Sequence, residues 1–204
     1  MDTKILVIIV LLLSCNLFIA QEKTHKCTLG FHYGFGNEIK NSDYTFSNQY
    51  YKLQLDCLLK ETKTLRYELL LQPEVNFATH QLLNPYFVTS NEPDYDGKRA
   101  KYTQFKTLKE YILNIGIILR KPILKKSSIY VLGSVGPLMA DTETERLSKG
   151  FAFSDVLGLG ISLKTNAITF ELCPNIRHVS NLGLLKHNAG YNTLNLEFGF
   201  SFSL

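Results

Sequence analysis

Leu194-Asn195-Leu196-Glu197-Phe198-Gly199-Phe200-Ser201-Phe202-Ser203-Leu204 alternates strictly between large apolar residues and small or polar ones. Successive side chains of an extended strand point to opposite faces, so this stretch has one wholly apolar face and one polar face. Its length matches a tilted strand crossing a bilayer.

The same period recurs toward the N-terminus. Ile168, Phe170 and Leu172 alternate with Thr169, Glu171 and Cys173, and Phe151, Phe153, Leu157, Leu159, Ile161 and Leu163 alternate with smaller residues. Tyr111, Leu113, Ile115, Ile117 and Leu119 stand against Glu110, Asn114 and Arg120. Leu65, Tyr67, Leu69 and Leu71 oppose Arg66, Glu68 and Gln72, and Tyr51, Leu53, Leu55 and Cys57 oppose Lys52, Gln54 and Asp56. Leu29, Phe31, Tyr33 and Phe35 begin the series, and a strand near residues 128–138 shows no clear face. The pattern predicts eight strands and no helix.

A soluble β-sandwich also alternates, with its charged residues on a solvated outer face. Two features favour the inverted arrangement, in which charges of both signs fill a narrow barrel and the apolar stripe meets lipid. The segments are long for a sandwich, and the connections alternate in length. Short ones fall near residues 60–64, 121–127 and 164–166, and longer ones near 37–47, 75–107, 140–150 and 181–190. With the N-terminus in the periplasm, every long connection lies outside the cell. The expected fold is therefore all-β, an eight-stranded antiparallel up-and-down transmembrane barrel in the outer membrane of a Gram-negative bacterium. Residues 75–107 are read as a structureless extracellular loop; its Lys98-Arg99 pair is better explained as solvated charge than as a contact to lipopolysaccharide phosphates.

The chain has 204 residues, 45% hydrophobic and 20% charged, a balance that excludes disorder, and a formal charge of +4 that suggests no nucleic-acid role. Lys4 followed by the apolar run 5–13 and Leu17-Phe18-Ile19-Ala20 reads as a secretory signal peptide over 1–20, with 21–204 as a single barrel domain. Lipoprotein processing at Cys15 is the alternative. Removing the signal leaves Cys27, Cys57 and Cys173, whose spacing matches no zinc pattern. Cys27 and Cys57 can meet across the first hairpin in an oxidising compartment, but the reading favoured is three unpaired cysteines, buried or facing lipid.

Ordinary catalytic motifs are absent: Gly158-Leu159-Gly160 lies within a strand, and there is no Gly-x-Ser-x-Gly elbow. What stands out is Arg177-His178-Val179-Ser180-Asn181-Leu182-Gly183, followed by Asn188-Ala189-Gly190-Tyr191-Asn192. On a strand His178 and Ser180 share a face, and parity puts both with Phe170 and Ile176 on the lipid side. If Phe170 faces Phe200, His178 faces Asn192. Three polar residues then interrupt an apolar stripe at the extracellular end of the last hairpin, where hydrocarbon cannot satisfy their hydrogen bonds. The competing reading ends the strands here and makes the three headgroup-level loop residues. Pro174 also bears on parity, because an uncompensated one-residue slip at that proline turns His178 and Ser180 inward.

His178-x-Ser180-Asn181, the Asn188-x-Gly190 turn and the alternating last strand together resemble the lipid A 3-O-deacylase family of outer-membrane barrels, also described as acyloxyacyl hydrolases. The resemblance implies an esterase that removes an acyl chain, at the 3-O position, from lipid A of lipopolysaccharide in the outer leaflet. His178 would be the base and Ser180 the nucleophile. Asn192 would orient the imidazole where the family usually has an acid, with the oxyanion held by Asn181 and backbone N–H groups near Leu182 and Gly183. No metal or organic cofactor is implied, and nothing fixes the oligomeric state. The alternative is a non-catalytic barrel of the adhesin, lipid-binding or structural kind, in which His178 and Ser180 only cap a strand.

Overall fold

The computed structural model describes residues 27–39 and 42–204; the expected signal peptide and Cys15 lie outside them. Eight antiparallel strands close into a barrel in sequence order, β8 returning to β1. They are β1 (Cys27–Glu38), β2 (Tyr44–Glu61), β3 (Arg66–Leu82), β4 (Lys106–Pro122), β5 (Ser127–Ala140), β6 (Gly150–Lys164), β7 (Ile168–Ser180) and β8 (Tyr191–Ser203). Closure leaves no edge strand with unpaired backbone groups, as a bilayer requires.

The apolar stripes face outward, as the exposed Leu53, Leu113, Ile115, Ile117, Leu159, Ile161 and Phe200 show. Most strand charges face inward, and the buried cations Lys52, Arg120 and Arg177 are paired with carboxylates, because an isolated charge in a dry interior is prohibitively costly. Lys52 Nζ lies 2.8 Å from Glu197 and 3.6 Å from Glu74, Arg177 is 2.6 Å from Glu74, and Arg120 bridges Glu68 at 3.0 Å and Glu171 at 2.9 Å. Above this ionic band, toward the end bearing the longer loops, Tyr44, Phe46, Leu108, Ile112, Leu138, Leu147, Val179 and Tyr191 form an apolar plug.

Three expectations need correction, the absence of any helix among them, and the condition set at Pro174 is met. The segment 75–107 is largely ordered: β3 continues to Leu82, and helix α1 (Tyr95–Tyr102) follows a single helical turn at Pro85–Phe87. This helix is held by tertiary contacts, with Arg99 donating to the carbonyls of Pro85 and Val88 and Tyr102 buried against Leu82 and Val88. Cys27 and Cys57 form a disulfide, since the β1–β2 register sets them directly opposite each other with Cα atoms 4.2 Å apart, while Cys173 is free and buried. β5 has a regular inside and outside after all. Its pattern was invisible because its inward residues Tyr130, Leu132, Leu138 and Ala140 are as apolar as its outward ones. Finally, Pro174 causes no slip: β7 and β8 stay in one continuous register from Ile168 opposite Phe202 to Val179 opposite Tyr191.

Candidate active site

The parity of β7 is locked on both sides of His178. Arg177 is buried in the lumen against Glu74 with its guanidinium 4.6 Å from the Tyr50 ring, and Val179 is fully buried in the apolar plug. Parity therefore directs His178 and Ser180 outward, where His178 is half-buried and Ser180 is buried at 9% exposure close to Gly190. Phe170 is opposite Phe200 and His178 opposite Asn192, so a single register sets both pairs.

His178 Nδ1 and Asn192 Oδ1 are 2.8 Å apart. An amide oxygen only accepts, so Nδ1 carries a proton, and in the neutral ring the lone pair falls on Nε2. No hydrogen bond joins His178 to Ser180 among the described residues; the two share a face one two-residue step apart, about 7 Å along the strand. Immediately below lies an apolar row, Leu157–Ile176–Leu194, whose members face one another across the ladders and are 63%, 47% and 57% exposed. The polar residues thus sit at the upper margin of the lipid-facing wall.

The loop above is rigidly built. The Leu184 N–H donates to the Asn181 carbonyl, closing a turn whose central residues Leu182 and Gly183 have φ of 53° and 78°, the geometry of a type I′ turn. A leucine in the left-handed region costs about 1 kcal/mol or more, so the surrounding structure holds it there. Asn181 is wholly buried and its groups are engaged. Its N–H donates to Asn188 Oδ1, its Nδ2 donates to the His187 carbonyl, and its Oδ1 accepts from the Gly183 N–H. The side chain of Asn181 and the N–H of Gly183, two of the donors expected at an oxyanion, therefore serve the loop itself. Among the described residues, the Leu182 N–H and Nδ2 of the exposed Asn188 have no protein acceptor. The sequence reading placed Asn188 in a turn and gave it no role. Its signal is the seven-residue spacing from Asn181, legible only once the loop is known to fold back on itself.

Arg146 ties this loop to its neighbours. It donates from Nε to the Gly190 carbonyl at 2.6 Å, its backbone carbonyl accepts from the Gly190 N–H, and its guanidinium lies over the rings of Tyr44 and Phe87. A second node joins Tyr102, Lys101 and His187 around Glu143, whose carboxyl the Tyr102 hydroxyl holds below the ordinary carboxylate range. Gly190 has φ of 62°, and a Cβ there would run into the Val179 carbonyl oxygen and come within 3.5 Å of the Ser180 side chain.

Residues 88–201, more than half of the chain, match the family model for lipid A 3-O-deacylase (PagL). The crystal structure of the outer membrane enzyme PagL superposes with a TM-score of 0.61 at 12% identity, covering 83% of this chain and 97% of that one. Neisserial surface protein A superposes with a TM-score of 0.52 at 10% identity, covering 87% and 97%. No curated protein matches the sequence. The barrel is thus of the outer-membrane kind, and the chain belongs to the lipid A 3-O-deacylase (PagL) family.

Proposed function

We propose that the protein hydrolyses an ester-linked acyl chain of lipid A, at the 3-O position, using Ser180 as nucleophile and His178 as general base. The observation that carries this reading is the His178–Asn192 hydrogen bond on the outer wall beside Ser180. It supports the tautomer with the proton on Nδ1, whose Nε2 is then the nitrogen that can take a hydroxyl proton.

Lipid A in the outer leaflet would lay its acyl chains along Leu157, Ile176 and Leu194 and bring the ester carbonyl level with Ser180. As the substrate closes the site, rotation of the two side chains brings Ser180 Oγ to Nε2, a hydrogen bond that unliganded sites often lack. Nε2 takes the hydroxyl proton while Oγ attacks the carbonyl carbon. The oxyanion is held by the Leu182 N–H and Asn188 Nδ2, donors already fixed by the turn. Collapse expels the sugar oxygen, which takes the proton from His178. Water, deprotonated by the same imidazole, then releases the acyl group from Ser180 as a free fatty acid.

The test is mass spectrometry of lipid A incubated with the purified barrel in detergent. Loss of one ester-linked acyl chain is expected, and lipid A recovered intact would point to the non-catalytic barrel instead.

A further inference from the structure

The outward stripe of β6 runs Phe151, Phe153, Leu157, Leu159, Ile161 and Leu163, and one residue breaks it: Asp155. It is exposed on the outer wall, and no ion pair or hydrogen bond engages its carboxylate among the described residues. Its cross-strand neighbour on β5 is Val135, and on β7 it is His178. A row therefore runs around the wall at one level: Val135, Asp155, His178, Asn192. A carboxylate at the margin of a lipid-facing wall is costly unless it has a partner. Directly opposed residues have Cβ atoms about 4.5–5.5 Å apart, which puts the Asp155 carboxylate within reach of the imidazole.

Asn192 orients the imidazole but brings no charge, so the imidazolium formed when Ser180 loses its proton needs an anion from elsewhere. The other groups facing the ring from its own strand and from β8 are Ser180 and Asn192, both neutral. The loop carboxylates above are engaged elsewhere, Glu143 with Lys101 and Tyr102 and Glu145 with His80. Arg146, Lys149 and Lys186 in those loops are cations. We propose that Asp155 is a positioning residue of the esterase site, supplying from β6 the negative charge that Asn192 does not supply from β8. The two jobs of one acid are thus split between the strands on either side of the histidine. This rests on His178 and Ser180 acting as proposed above.

The test moves the charge from one flank to the other. With purified protein in detergent and lipid A as substrate, Asp155→Asn should lower kcat by about 10- to 100-fold with KM little changed. Asp155→Glu should retain most of the activity, and adding Asn192→Asp to Asp155→Asn should restore it. Wild-type turnover by Asp155→Asn, or failure of Asn192→Asp to rescue it, overturns the assignment. An independent readout needs no turnover. The His178 imidazole signals, followed by NMR as pH is varied, should respond to Asp155→Asn as removal of a facing anion requires, and signals unchanged from the wild type also overturn it. If wild-type protein leaves lipid A intact while the titration still responds to Asp155, the esterase reading falls and the charge pairing stands.

Discussion

His178 and Asn192 meet across the β7–β8 ladder, Nδ1 to Oδ1 at 2.8 Å, in the same register that sets Phe170 against Phe200 near the opposite end of the hairpin. The candidate site is therefore assembled by strand pairing, which orients its histidine. Asn192→Asp should maintain or raise turnover, because a carboxylate keeps the acceptor and adds charge. Asn192→Leu should lower turnover by roughly 10²-fold, the scale of a lost general-base contribution. Measured per folded molecule, unchanged turnover in Asn192→Leu would remove this residue from the site.

Gly190 is required for two reasons, its left-handed backbone and its proximity to Val179 and Ser180. Gly190→Ala should cost about 1–2 kcal/mol in the left-handed conformation alone. It should also crowd Ser180, so activity should fall further than the folded fraction does. Comparing heat-modifiable gel mobility with deacylation separates the two losses.

Arg146 holds the carbonyl of Gly190 from a different loop. Arg146→Met keeps much of the apolar stem but removes the donors, and it should reduce kcat several-fold while the barrel remains folded. Hydrogen exchange should rise in residues 181–190, and exchange unchanged there would show that the loop is held without this side chain.

The Cys27–Cys57 disulfide closes a loop with a sequence separation of 30 at the end of the barrel remote from the site. By chain-entropy reasoning such a loop is worth about 3–4 kcal/mol. Cys27→Ser with Cys57→Ser should lower the unfolding midpoint in denaturant and leave deacylation of lipid A by the folded fraction unchanged.

The barrel was legible because lipid outside and polar groups inside give opposite residue chemistry on alternate positions, which β8 displays from Leu194 onward. β5 hid its pattern because apolar residues line both of its faces. Helix α1 could not be read at all: eight residues containing Gly97 and four charges do not hold a helix in isolation, and tertiary contacts such as those of Arg99 and Tyr102 anchor it. The start of β2 and the end of β3 extend past the apolar belt at the long-loop end, where Thr45, Ser47, Thr79 and Gln81 interrupt the outer stripe. Within the site, the parity of His178 and Ser180 and the facing Asn192 followed from alternation and one hairpin register. Asp155 escaped notice because it passed for one of the smaller residues of β6 when it in fact occupies the outward stripe. The commitments of Asn181 and the freedom of Asn188 depend on how the loop folds, which alternation does not encode.

The most direct test of the central claim is mass spectrometry of lipid A after incubation with purified wild-type protein and with Ser180→Ala and His178→Ala, each first shown to be a folded, heat-modifiable barrel. Wild type should remove one ester-linked chain, and neither variant should remove any. Deacylation that persists in either folded variant would contradict the account.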